Sequence, residues 1–144
     1  MRASCRLSLI LSATMVAGVT LAMVSPAIAS PAFDEAAALF RDKRYPEARP
    51  LLEKVVAAEP ENSEACFQLG MCWRNRNDAD ALTEGVKWLG RATELAPRRT
   101  NYWLELGAAA LQLAGKKSSL AFAQRGREAL EKAIALEPGN LDAR

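Results

Sequence analysis

The sequence predicts an all-α fold: a solenoid of three helix–turn–helix repeats after an N-terminal signal peptide. Three observations lead there. A short skeleton recurs, with Leu69-Gly70 and Leu106-Gly107 each followed by a second apolar run rich in alanine. Those runs close on Pro97 and Pro138, and a third, weaker copy, Val55-Val56-Ala57-Ala58-Glu59-Pro60, closes on Pro60. Half of the residues are apolar and a quarter charged, which supports a packed core rather than a disordered chain.

Residues 1–29 read as an export signal. Arg2 and Arg6 supply the positive end, residues 7–24 carry no charge, and Pro26 precedes Ala27-Ile28-Ala29. Small residues at 27 and 29 fit a signal peptidase, so cleavage is expected between Ala29 and Ser30. The competing reading is an uncleaved membrane anchor, because about 18 apolar residues lie at the lower edge of what spans a bilayer. Export, with the periplasm as destination, is the expected localisation. Once Arg2 and Arg6 are set aside, 17 basic residues face 17 acidic ones. That balance argues against a nucleic-acid partner, which needs a basic face. Histidine is absent, which removes Ser-His-Asp catalysis and the usual zinc sites. No metal, cofactor or catalytic residue is expected.

The domain is expected over 30–140, with repeats at about 30–62, 63–99 and 100–140, and 141–144 as the start of an incomplete segment. In the first repeat a helix is predicted over 33–42, and Tyr45-Pro46-Glu47-Ala48 opens the next one. Proline suits the first helical position, where its missing N–H would have no partner. Ala48, Leu52 and Val55 are candidate core positions. In the second repeat Ser63 is a candidate N-cap, and Gly70 is where two helices come close. The spacing of 37 residues from Pro60 to Pro97 leaves three extra residues, assigned to a polar connector at 74–80. A second helix then covers 81–95. In the third repeat the spacing is 41. Seven extra residues are close to two helical turns, which predicts helices at 101–114 and 119–136, joined by a turn at Gly115-Lys116-Lys117 and capped by Ser118 or Ser119. Trp73 and Trp103 are expected in the core, and Trp88 half-exposed. Cys66 and Cys72 lie about 9 Å apart along one helix, too far for a bridge that needs Cα atoms within about 7 Å, and are read as small core fillers.

Trp103-x-x-Leu106-Gly107, with Ala129, Ala133 and Pro138 downstream, resembles the tetratricopeptide repeat (TPR) pattern, as does Leu69-Gly70 with Trp73, Ala92 and Pro97. The resemblance covers essentially all of 30–140, and the chain is similar to small exported bacterial proteins of that family. It implies a TPR-type α-solenoid that acts as a non-catalytic scaffold and holds a partner in a concave groove lined by the first helix of each repeat. Transferred position by position, that groove comprises Phe33, Ala37 and Phe40, then Phe67, Met71, Arg74 and Asn75, then Leu104, Ala108, Leu111 and Gln112. Apart from Arg74 and Asn75, the basic and amide residues of a carboxylate-clamping groove are missing. The groove is therefore read as apolar, suited to a hydrophobic or amphipathic protein segment. Two rival readings stand beside it. One is a self-associating piece, or the N-terminal part of a longer protein, joined through an uncapped end after Leu136. The other is a carboxylate-dependent enzyme, for which no converging acid pair is evident. A membrane contact is expected only through an uncleaved signal.

Overall fold

The computed structural model describes residues 30–139. The signal segment, the Ala29 side of the expected cleavage point and the segment 140–144 lie outside the described residues. Within them the chain forms six α-helices and no strand: α1 (Pro31–Arg41), α2 (Tyr45–Ala58), α3 (Ser63–Asn75), α4 (Ala79–Leu95), α5 (Thr100–Lys117) and α6 (Leu120–Leu136). Each helix packs on the next, and α1, α3 and α5 also touch one another along one side. The result is three stacked hairpins, with α1, α3 and α5 on one face and α2, α4 and α6 on the other.

Side-chain caps start the helices where the sequence supplies them. Ser30 Oγ accepts from the Phe33 N–H at 3.4 Å, with Pro31 just inside the helix. Asp78 Oδ1 accepts from the Ala81 N–H at 2.7 Å. The cap of α3 is Asn62 rather than Ser63: Asn62 Oδ1 accepts from the Ala65 N–H at 3.0 Å, and Ser63 is already helical. Asn62 is the last residue with extended backbone, the geometry a capping side chain needs. Ser119 holds the cap position of α6, but its side chain makes no capping bond.

The expected connectors need correction. Only residues 76–78 separate α3 from α4, with Asn77 left-handed at φ 56°. The three additional residues of the second repeat extend the helix instead, making α4 17 residues long against 14 for α2. Likewise Gly115-Lys116-Lys117 is the last turn of α5, not a turn between helices, and the chain reverses at Ser118, φ 48°. Lys117 Nζ donates to Thr83 Oγ1 of α4 at 2.9 Å, which ties that turn down. Two lysines near the carbonyl end also oppose the helix dipole favourably.

The second and third hairpins close at glycine. A Cβ on Gly70 would lie 2.7 Å from Leu89 Cγ and 3.0 Å from the Leu89 backbone nitrogen, and one on Gly85 would lie 3.1 Å from the Gly70 carbonyl oxygen. The third hairpin repeats this crossing at Gly107 and Gly126, where each Cβ would lie 3.1 Å from the other's carbonyl oxygen. Fifteen residues separate the first pair and nineteen the second. The difference is about one helical turn, so the longer repeat keeps the same facing residues.

The core divides into two clusters. Ala36, Ala48, Leu52, Val55, Leu69 and Tyr102 belong to the first, and Leu82, Leu89, Leu106, Ala110 and Leu113 to the second. Phe67 packs on both. Trp73 and Trp103, expected inside, are only half-buried at the edges. Each ring meets a polar group that a fully enclosed indole would lack. The Arg49 guanidinium lies 4.6 Å from the Trp73 ring centroid, and Trp103 Nε1 donates to the Pro97 carbonyl at 2.9 Å. The fully enclosed aromatic is Tyr102. Cys66 and Cys72 are free and buried, and burial pushes the Cys72 thiol up to about 12 and that of Cys66 upward too.

Two measurements follow from this packing. Gly70→Ala is expected to destabilise the fold by about 1–3 kcal/mol through overpacking, whereas Gly115→Ala, with nothing within 4 Å, raises stability by up to about 1 kcal/mol through helix propensity; denaturant unfolding of both variants checks the contrast. Cys66 and Cys72 are expected to resist a thiol reagent at pH 8 in the folded protein and to react once it is unfolded, because the thiolate is the reactive form.

Candidate partner-binding face

The face built by α1, α3 and α5 carries most of the residues expected to line a groove, and the structure sorts them into two groups. Phe33, Phe40 and Phe67 are half-buried and packed on the first core cluster. Phe40 meets Tyr45 edge-on, with ring centroids 5.4 Å apart. Phe67 stacks on Tyr102 of the next repeat, with centroids 4.5 Å apart and planes 15° from parallel. These three rings belong largely to the core. Met71, Arg74, Asn75 and Gln112 come together around a cleft of about 270 Å³, joined there by Tyr45 and Asn77. Leu104 and Ala108 are half-buried on α5. Leu111 lies elsewhere: its Cγ would meet a Cβ on Gly126 at 2.8 Å, so it covers α6 at the end of the stack and stays 43% exposed.

The charged groups at the centre of this face, Arg74 and Glu105, are already matched. Arg74 of α3 forms an ion pair with Glu105 of α5, and its Nε donates to Gln112 Oε1 at 3.2 Å. Its Nη1 also lies 4.0 Å from Met71 Sδ. A guanidinium held by a carboxylate and an amide from the next repeat is not free to clamp another carboxylate. Glu105 was not foreseen as a site residue. The signal was a basic residue on the first helix of one repeat and an acid on the first helix of the next, which only stacking brings into contact.

A second link between repeats lies nearby. Glu64 Oε2 accepts from Tyr102 Oη at 2.7 Å and from Arg99 Nη1 at 3.4 Å, while Glu64 Oε1 accepts from Gln68 Nε2 at 3.2 Å. Burial, and then the bond to the Glu64 carboxylate, push the Tyr102 phenol up to about 12. Among the described residues no three His, Cys, Asp or Glu side chains are grouped to hold a metal ion, and no helix is long and apolar enough to cross a membrane.

Residues 39–106, from the end of α1 into α5, match a known family model, that of the tetratricopeptide repeat. The chain belongs to the TPR family. Solved TPR structures share its fold. The first TPR domain of Spaghetti (RPAP3), bound to the HSP90 peptide SRMEEVD, is 19% identical and covers 76% of this chain and 79% of its own, with a TM-score of 0.64. MamA 41-end from Desulfovibrio magneticus RS-1 is 26% identical over 76% of this chain and 56% of its own, with a TM-score of 0.61. A MamA RS-1 double mutant is 27% identical over 74% of this chain and 55% of its own, with a TM-score of 0.62. This TPR chain thus spans just over half the length of the MamA chains it matches. No curated protein matches the sequence.

The links between repeats give two expectations. In a double-mutant cycle, Arg74→Ala and Glu105→Ala couple by about 0.5–1 kcal/mol, since both side chains are partly exposed and water screens them; chemical denaturation of the four proteins measures it. A raised phenol favours the neutral, folded form, so its contribution is complete below pH 10 and is lost as pH rises toward about 12. Thermal melts of wild type are therefore expected to fall more steeply above pH 10 than those of Tyr102→Phe.

Proposed function

We propose that this TPR chain is an exported, non-catalytic scaffold that holds a hydrophobic or amphipathic segment of a partner protein on the face of α1, α3 and α5. The observation that carries the reading is the Arg74–Glu105 pair with Gln112 beside it. It occupies the basic position a carboxylate end would use and leaves Met71, Leu104 and Ala108 as the half-buried apolar strip on that face. An apolar strip bordered by matched polar groups suits the apolar side of a helix laid into a groove. The solved TPR domain bound to an HSP90 peptide supports peptide holding as a use of this architecture. The export reading rests on residues 1–29 and places the scaffold in the periplasm.

The choice of variant matters for the test. Phe67 is stacked into the core, so Phe67→Ser is expected to lose fold and partner together. Leu104→Ser and Met71→Ser touch half-buried positions and are expected to abolish crosslinking of the partner in periplasmic extract while circular dichroism stays that of the wild type. Unchanged crosslinking in both variants would remove the groove from the account. N-terminal sequencing of the secreted chain is expected to begin at Ser30, and a chain that begins at Met1 in the membrane fraction would replace export by anchoring.

A further inference from the structure

The opposite face, built by α2, α4 and α6, carries a cleft of about 440 Å³ that the groove reading does not use. Its apolar part is formed by Val56, Pro60, Trp88 and Gly90. Trp88 is half-buried, packed against the first core cluster and lining the cleft, with Lys87 Nζ 5.5 Å from its ring centroid. Lys87, Arg91 and Arg125 stand around it with a single acid, Glu94. Two of the cations are already matched on the rim. Lys87 pairs with Glu84 at 3.4 Å, and Arg91 pairs with Glu61 and Glu94 at 3.4 Å each. Arg125 has no ion pair among the described residues. Its Nη2 lies 2.5 Å from where a Cβ of Gly90 would stand, so the missing side chain at 90 is what lets the guanidinium lie down on α4, in the cleft that Trp88 also lines.

We propose that this cleft is a second recognition site, for a polypeptide segment that sets a large apolar side chain against Trp88 and a neighbouring carboxylate against Arg125. The matched rim pairs give a heavily charged ligand no net attraction. The one unmatched guanidinium selects one anionic group and, being planar, can receive both oxygens of a carboxylate. Tryptophan and arginine are both enriched among the residues that dominate protein contacts. Because α4 and α6 are fixed by the Gly70–Gly85 and Gly107–Gly126 crossings, the site exists before a ligand arrives.

The test follows the three indole N–H resonances of the full chain by NMR, with that of Trp88 assigned through Trp88→Phe. The probes are the blocked dipeptides acetyl-Leu-Asp-amide and acetyl-Leu-Asn-amide at low salt. The Trp88 resonance is expected to move, and the Asp peptide to bind about threefold tighter than the Asn peptide, as one exposed ion pair provides. Arg125 is an exposed helix residue, so Arg125→Gln is expected to keep the wild-type melting curve and lose the preference. Gly90→Ala moves the guanidinium without removing its charge and is expected to lose the preference as well. The site is overturned if the two peptides bind alike, if either variant keeps the preference, or if Trp88 responds only to phosphatidylglycerol vesicles. Leu104→Ser leaves the Trp88 response intact, so failure here and failure of the groove are separable.

Discussion

Where α3 meets α4 there is no room for a side chain on either helix. The Gly70 carbonyl oxygen lies 3.1 Å from the place a Cβ of Gly85 would take, and Gly107 and Gly126 repeat the arrangement between α5 and α6. Close packing makes such a contact intolerant of even one methyl group. The hairpins can therefore pair in one register only, and every other relation in the molecule inherits it. Tyr102 reaches Glu64, and Arg74 reaches Glu105, because the hairpins stack at a fixed separation.

That constraint also explains how repeats of unequal length coexist. A helix pair that crosses at glycine accepts added residues only in whole turns if the crossing is to be kept. The third hairpin has its glycines four residues further apart than the second, close to one turn. The added length appears as helix beyond the crossing, in α5, and not as a loop. The same logic places the additional residues of the second repeat in α4. Propensity offered polar and glycine-rich stretches as breaks, and tertiary contact overrode it: Lys117 bonded to Thr83 holds the last turn of α5 in place.

The two faces of the stack divide the chemistry. On the side of α1, α3 and α5 Arg74 and Glu64 are engaged by groups of the next repeat, and the apolar side chains of Met71, Leu104 and Ala108 remain half-buried. On the side of α2, α4 and α6 a tryptophan sits beside the one guanidinium that lacks a carboxylate among those lining the cleft. Among the described residues no three His, Cys, Asp or Glu side chains are grouped to hold a metal ion. The molecule is arranged for contact with other chains, through surfaces whose shape is set by rigid helices.

Periodicity and punctuation by themselves determined the helical class, the number of hairpins, the glycine at the α3–α4 crossing and the half-exposure of Trp88, because small residues and closing prolines act locally along the chain. The resemblance to the TPR pattern, transferred position by position, pointed to Met71, Arg74, Asn75 and Gln112 as neighbours on one face. Only the tertiary structure decided that Tyr102 rather than Trp73 or Trp103 is enclosed, that Arg74 is taken up by Glu105, that Phe67 is shared with the core, and that Leu111 covers Gly126. Each of these depends on what a neighbouring helix presents across a contact of a few ångströms, and partners some 30 to 40 residues apart leave no periodic trace in a single sequence.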